Sequence, residues 1–186
     1  MLSFNRPLYT VHRPLLLAFA MLALLSGCAY STRNALPAHI RSIAIPVFKN
    51  KTFVTDYTRK IEVEVTDAAR NAFIQNGELA LASRETADLI LEGEVTHVDR
   101  ETLRSDRYGE AAEVRLIIKA RISVYDVKEA KYLFENVVVT NTEKKAENGV
   151  YNLRRGEYEN LGKTNAVEEL GKVIAHTITE RWPSTK

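Results

Sequence analysis

Strict alternation of apolar and polar side chains between residues 112 and 124 constrains the fold more than any other feature of this chain. The apolar positions are Ala112, Val114, Leu116, Ile118, Ala120, Ile122 and Val124. Because successive side chains of a strand point to opposite sides, this segment is predicted to be a long strand with one buried face. Charged residues dominate the other face, which is therefore expected to meet solvent or a partner.

Three further segments have the composition of strands. They are residues 43–48, 89–100 and 132–142. Pro46 cannot donate to a sheet, so we expect it near the end of its strand or on an edge. Residues 79–82 are predicted to be a short strand or an extended link. The polar residues 105–110 predict a hairpin connection between the second strand and the third.

Two segments, residues 56–76 and 157–182, have apolar residues at helical spacing. In the first, one face carries Tyr57, Ile61, Val65, Ala68, Ala72 and Phe73. A strand over residues 60–65 is a competing interpretation, because Ile61, Val63 and Val65 alternate with charged residues. The helix is favoured because residues 68–72 continue its pattern. Thr55 is the predicted cap, Asn76 and Gly77 the predicted end, and Pro183 the stop of the second helix.

The predicted order of elements is β-α-β-β-β-α. Two amphipathic helices and one sheet with an alternating face pack most economically as two layers. We therefore predict an α+β two-layer sandwich, with both helices on one face of a mainly antiparallel four-stranded sheet. The other face of the sheet is left for solvent or a partner.

The amino-terminal segment predicts export. Arg6 and Arg13 precede an apolar run over residues 15–25, and small residues follow it. The run is shorter than the roughly 20 residues of a membrane-spanning helix. The sequence Leu-Ser-Gly-Cys that ends at Cys28 resembles the lipobox of bacterial lipoproteins. That resemblance implies cleavage before Cys28 and acylation of its side chain and of the new amino terminus.

The alternative is an ordinary signal peptide followed by a chance cysteine. Cys28 is the chain's only cysteine, so an exported thiol could form no internal disulfide, whereas lipidation gives it a role. Ala29 follows it in place of an aspartate, and the resemblance thus implies sorting to the outer membrane, facing the periplasm. The predicted organisation is a cleaved leader over residues 1–27, a lipidated tether over 28–41 and one periplasmic domain over 42–186.

Charge and composition argue against nucleic-acid binding and against enzymatic activity. The leader contains two basic and no acidic residues, so the mature chain is formally neutral and has no long basic run for phosphates. The histidines are His12, His39, His97 and His176. No pair of them has zinc-motif spacing, and the chain lacks a glycine loop for phosphates. We predict no enzyme, no metal and no cofactor beyond the covalent lipid on Cys28.

Two segments together resemble the lipopolysaccharide-assembly lipoproteins of the LptE family. They are Ile-Ala-Ile-Pro-Val-Phe-Lys-Asn-Lys-Thr at residues 43–52 and Ala-Asp-Leu-Ile-Leu-Glu-Gly-Glu-Val at residues 87–95. Cys28-Ala29-Tyr30 and a terminal helix with Ala166 that closes on Arg181-Trp182 fit the same family, in the same order along the chain. The similarity spans nearly the whole mature chain and assigns residues 42–186 to one LptE-like domain.

The resemblance implies a function without covalent chemistry. Proteins of this family lie inside the outer-membrane β-barrel LptD, support its assembly and take part in inserting lipopolysaccharide into the outer leaflet. It also implies two lipopolysaccharide contacts, Arg107 at the predicted hairpin and Lys163 in the last helix. Either cation could pair with the anionic phosphates of lipid A. The alternative is that both are solvated surface charges, as most such residues are.

Other basic residues surround the same hairpin, and acidic residues offset them. The basic residues are Arg100, Arg104, Arg115, Lys119 and Arg121. The acidic residues are Asp99, Glu101, Asp106, Glu110 and Glu113. The charge pattern alone therefore identifies no anion site.

Two other functions remain open. A similar pairing of segments occurs in curli-secretion lipoproteins and in activators of penicillin-binding proteins, which suggests a pore component or a binding regulator. The short tether and the absence of a membrane-length alternating hairpin favour a domain held close to the membrane. An envelope lipoprotein of unrelated function on the same fold is the third possibility, because a fold does not determine a function.

Overall fold

The computed structural model describes residues 36–37, 39–53, 58–142, 149–153 and 159–180. The strands are β1 (Ser42–Ala44), β2 (Lys49–Asn50), β3 (Ala80–Leu81), β4 (Leu89–Ser105), β5 (Ala111–Asp126), β6 (Lys131–Thr140) and β7 (Val150–Asn152). The helices are α1 (Ile61–Asn76) and α2 (Glu159–Glu180). The predicted leader, Cys28, Thr55 and Pro183 lie outside the described residues. No helix in the described part is long and apolar enough to cross a membrane.

The strands of the described residues form one mixed sheet. Its main path is β3-β1-β4-β5-β6, with β2 as an added partner of β4 and β7 as an added partner of β5. The pairs β4–β5 and β5–β6 are antiparallel, as predicted. However, β1 runs parallel to β3 and β4, and β2 runs parallel to β4. The prediction of a mainly antiparallel four-stranded sheet is therefore wrong: the sheet has seven strands and is mixed.

Only the start of the first predicted strand, residues 43–48, forms a strand: β1 ends at Ala44, before Pro46, and β2 begins at Lys49, beyond the predicted segment. The backbone between them bonds to side chains of α1 instead of to a strand. The guanidinium of Arg70 donates to the carbonyl of Ile45 at 2.6 Å, and the N–H of Phe48 donates to Thr66 Oγ1 at 2.9 Å. Because α1 connects β1 and β2 to β3, it provides the long crossover that parallel neighbours require.

The two helices pack on one face of the sheet, as predicted. The side chains that β5 turns toward them are almost fully buried, and one hydrophobic core contains residues from both helices, β4 and β5. A Cβ on Gly171 of α2 would lie 2.6 Å from the backbone of Ala68 of α1, so the helices cross in close contact there. The strand alternative for residues 60–65 is wrong, because α1 covers residues 61–65.

Helix α1 ends where the sequence predicted. Gly77 has a φ of 69°, in the left-handed region that favours glycine, and its N–H donates to the carbonyl of Phe73 at 3.0 Å. The alternation that predicted β5 is also confirmed, because its burial alternates along the whole strand. Strand β4 is longer than predicted and continues past Arg100 to Ser105.

Candidate functional site

The long β4–β5 hairpin has two halves with different surroundings. In the half near Leu89, the inward side chains of β4 are buried down to Val98. From Asp99 to Ser105 every residue of β4 is exposed. Within the described residues, the parallel pairing of β2 with β4 reaches only Val95. We call residues 99–115, including the connecting turn, the distal ribbon.

Strand β7 supports one side of the distal ribbon. It pairs antiparallel with β5 at Glu113, Val114 and Arg115. Val114 and its partner Tyr151 are almost fully buried, and a Cβ on Gly162 of α2 would lie 2.3 Å from the ring of Tyr151. The β5 side of the ribbon is therefore joined through β7 to α2, whereas no described strand pairs with the β4 side.

Asp106 holds the turn at the tip. Its Oδ1 accepts hydrogen bonds from the N–H groups of Tyr108 at 2.8 Å and Glu110 at 3.0 Å. Its carbonyl accepts a bond from the N–H of Gly109 at 3.1 Å, and Gly109 has a φ of 84°. This is a short hairpin loop closed by a residue in the left-handed region, which favours glycine.

Arg107 occupies the exposed position at the tip. Its guanidinium carbon lies 4.7 Å from the centre of the Tyr108 ring, within cation–π range. Tyr108 is itself 73% exposed. Within the part of the chain that the structure describes, Arg107 forms no ion pair. A positive charge beside an aromatic face is thus presented to solvent by a hydrogen-bonded turn.

Nearby arginines on the outer face of the hairpin are paired with carboxylates. Arg115 Nε donates to Glu101 at 3.1 Å, and Arg104 lies 3.7 Å from Glu113. Exposed ion pairs of this kind add little stability, but each cancels one positive charge. The local offset of charges suggested by the sequence is therefore present as specific pairs, and it does not extend to Arg107.

Lys163 has a different environment. Its Nζ lies 2.8 Å from the carboxylate of Glu64, and its side chain is only 13% exposed. The pair joins α2 to α1, so a lipopolysaccharide phosphate would have to compete with Glu64 for this amine. No contact joins Lys163 to Arg107 within the described ranges. The predicted binding roles of both residues remain predictions, and Cys28 lies outside the described residues.

A second polar cluster lies at the opposite end of the hairpin, where Leu89 pairs with Asp126. His39 Nε2 is 3.0 Å from Asp126 Oδ2, although the two residues are 87 positions apart in sequence. Burial would raise the pKa of Asp126, but hydrogen bonds from the backbone of Glu129 and from His39 lower the pKa overall. No pattern in the sequence predicted this contact.

Asp88 lies beside this cluster, and its carboxylate accepts hydrogen bonds from the residues that lead into β1. Its Oδ2 accepts from the N–H of Arg41 at 2.9 Å and from the N–H and hydroxyl of Ser42 at 3.0 and 2.8 Å. These bonds, that from Arg41 foremost, lower the pKa of the Asp88 carboxyl. The chain that follows the predicted tether is thus bound at the end of the sheet away from Arg107.

Solved structures resemble this fold only weakly. A minor lipoprotein from Acinetobacter baumannii is 15% identical with a TM-score of 0.48, covering 81% of this chain and 99% of that one. The PelC dodecamer from Paraburkholderia phytofirmans is 15% identical with a TM-score of 0.45, covering 78% and 93%. These similarities support no conclusion about function. A comparison with curated proteins gives no match.

The family comparison is decisive. The model of the family described as "LptE: Lipopolysaccharide-assembly" matches residues 40–181, which include every element of the sheet and both helices. The match confirms the resemblance seen in the two sequence segments. This chain therefore belongs to the LptE family, a non-enzymatic group of envelope lipoproteins of lipopolysaccharide assembly.

Proposed function

We propose that this protein is an outer-membrane lipoprotein, anchored through Cys28, that occupies the lumen of an LptD-type β-barrel. There it supports assembly of the barrel and takes part in moving lipopolysaccharide into the outer leaflet. The observation that carries the proposal is the family match over residues 40–181 together with an exposed distal ribbon that ends in Arg107. The work is binding and positioning, without covalent chemistry.

The distal ribbon supports this function through its shape. A two-stranded hairpin is marginally stable alone in water, and the β4 side of this one has no strand neighbour among the described residues. Its exposed face nevertheless includes Leu103, which is 41% exposed, and Tyr108. Enclosure by a barrel wall would bury these side chains and keep water away from the open edge.

Arg107 is the better of the two proposed lipopolysaccharide contacts. Guanidinium groups bind phosphates through paired hydrogen bonds, and Tyr108 orients this one without neutralising it. Lys163 already pairs with Glu64 and is mostly buried. We expect it to act on lipopolysaccharide only if Glu64 releases it, and otherwise to hold the two helices together.

The first test is affinity purification of the tagged, lipidated protein from gently solubilised outer membranes. We expect a large β-barrel protein in a one-to-one ratio, with lipopolysaccharide. Recovery of a peptidoglycan synthase, or of a ring of this protein alone, would overturn the proposal and favour the regulator or pore alternative.

The second test separates glycolipid binding from barrel binding. Arg107→Glu should reduce the lipopolysaccharide recovered per barrel while leaving the amount of barrel unchanged. Lys128→Glu is the matched control, because Lys128 is also an exposed cation in a hairpin turn, at the opposite end of β5. Equal lipopolysaccharide recovery from both variants would exclude Arg107 as the contact.

A further inference from the structure

Three potential metal ligands meet where β5 turns into β6. They are His39, Asp126 and Glu129, and one donor atom from each lies within 4.8 Å of the others. His39 precedes β1, whereas Asp126 ends β5 and Glu129 belongs to the turn. The cluster therefore joins the segment that leads into the domain to the far end of the long hairpin.

The donor types and spacing suit a transition-metal cation. Imidazole nitrogen and carboxylate oxygen are common ligands of zinc, at about 2.0–2.2 Å from the metal. Two donors on one such ion lie roughly 3 Å apart, and the distance from His39 Nε2 to Asp126 Oδ2 is 3.0 Å. These two atoms are thus already close to the separation that a shared ion requires.

The fold prepares the Asp126 carboxylate for this role. The side chain is 1% exposed, and its Oδ1 accepts the N–H of Glu129 at 2.9 Å. That bond leaves Oδ2 directed at His39.

Glu129 can complete the site at small cost. Its side chain is 44% exposed and pairs with Lys131, which is 53% exposed. Exposed pairs of this kind are worth little, so Lys131 can turn into solvent while Glu129 turns toward the ion.

We propose that His39, Asp126 and Glu129 bind one divalent cation of the zinc type. The ion would hold the end of the predicted lipid tether, at His39, against the β5–β6 turn. It would thereby fix the point at which the chain leaves the domain toward the membrane. This role is separate from the proposed action on lipopolysaccharide, and its test does not depend on LptD.

The test uses the full chain, expressed with a tag that contains no histidine, purified in detergent and treated with a chelator. ZnCl2 is titrated by calorimetry, and CoCl2 is titrated while its visible absorption is recorded. We expect one equivalent of each ion to bind, a visible band for cobalt bound to nitrogen and oxygen ligands, and a zinc-dependent rise in the melting temperature.

His39→Gln should weaken zinc binding more than about tenfold and abolish the melting shift. Glu129→Gln, which changes an exposed side chain and leaves the fold intact, should weaken binding less. His176→Gln is the matched control, because His176 also lies beside a carboxylate, that of Glu180, on the surface of α2. It should bind zinc like the unchanged protein.

Two results would overturn the proposal. One is a failure of the unchanged protein to bind either ion at concentrations up to about 100 μM, above the affinity expected of a built site. The other is unchanged zinc affinity in His39→Gln, whatever the result for His176→Gln. A circular dichroism spectrum equal to that of the unchanged protein verifies that each variant is folded.

Discussion

The two halves of the β4–β5 hairpin consist of the same two strands but are held in place by different contacts. In the half near Leu89, Leu91, Val95 and Ile122 are at most 1% exposed beneath the two helices. In the distal ribbon, β4 is exposed at every residue, and order comes from the turn at Asp106 and from β7. The first half resembles the core of any small domain, whereas the second presents a surface that the described residues leave exposed.

This difference separates stability from function. Burial of apolar side chains stabilises the covered half, so substitutions there should unfold the protein. The β4 side of the distal ribbon is exposed, so substitutions of its side chains should alter binding while leaving the fold intact. Two regions of one hairpin can therefore be tested independently, and residue pairs of the same type make the comparison direct.

The largest effect is expected from the pair Leu91→Ala and Leu103→Ala, both in β4. Leu91 is 0% exposed, and its truncation should lower the free energy of unfolding by about 2–5 kcal/mol. Leu103 is 41% exposed, and its truncation should change that free energy by less than about 0.5 kcal/mol. Urea denaturation followed by circular dichroism measures both. Equal losses would contradict the division of the hairpin.

Two glycine substitutions compare the stability cost of steric crowding with that of an unfavourable backbone conformation. A Cβ on Gly93 would lie 2.4 Å from the ring of Phe48, so Gly93→Ala should cost about 1–3 kcal/mol through overpacking. A Cβ on Gly109 meets nothing within 4 Å, but its φ of 84° should make Gly109→Ala cost about 1 kcal/mol. Thermal unfolding of the two variants should rank them in this order, and the reverse order would contradict it.

Asp88 should make the covered end of the hairpin sensitive to acid. Its folded-state pKa is lowered, so its stabilising contribution is present above its unfolded pKa and is lost as pH falls through the folded value. Asp88→Ala leaves the N–H groups of Arg41 and Ser42 without this acceptor and should cost about 1–2 kcal/mol at pH 7. The variant should lose less stability between pH 6 and acid than the unchanged protein, and parallel unfolding curves would contradict this role.

The smallest effect on folding is expected at the tip. Arg107→Glu exchanges one exposed charge on a turn that Asp106 holds, so the melting temperature should change by less than about 1 °C. A large decrease would mean that Arg107 is a structural residue, and its proposed role with lipopolysaccharide would lose its support.

Local patterns in the sequence predicted the long elements and the places of β1 and β3, but they did not predict that the short strands pair in parallel. The alternation around Ile118 and the helical spacing around Phe73 each extend over several turns or residue pairs, so they define β5 and α1 directly. Strands β1, β2 and β3 contain two or three residues each, which is too short to show an alternating pattern. Their partners depend on how α1 packs. The extension of β4 beyond Arg100 was missed because its charged side chains bury no face.

In the candidate sites, too, local contacts could be predicted from the sequence and contacts between distant residues could not. The hairpin turn was predictable because Asp106, Tyr108 and Gly109 form a local hydrogen-bond pattern. The partner of Lys163 was not, because Glu64 lies 99 positions earlier and the contact depends on how the helices pack. The contact of His39 with Asp126 likewise depends on the register of the whole sheet.

The main prediction from the structure is that the distal ribbon faces the partner in lipopolysaccharide assembly. Its most direct test is photo-crosslinking in living cells, with the reactive amino acid at Leu103 or Tyr108 and, as the control, at the exposed Val127 of the opposite turn. We expect crosslinks from Leu103 and Tyr108 to an LptD-type barrel, with lipopolysaccharide joined at Tyr108, and far fewer from Val127. Barrel crosslinks from Val127 with none from the ribbon would contradict the claim.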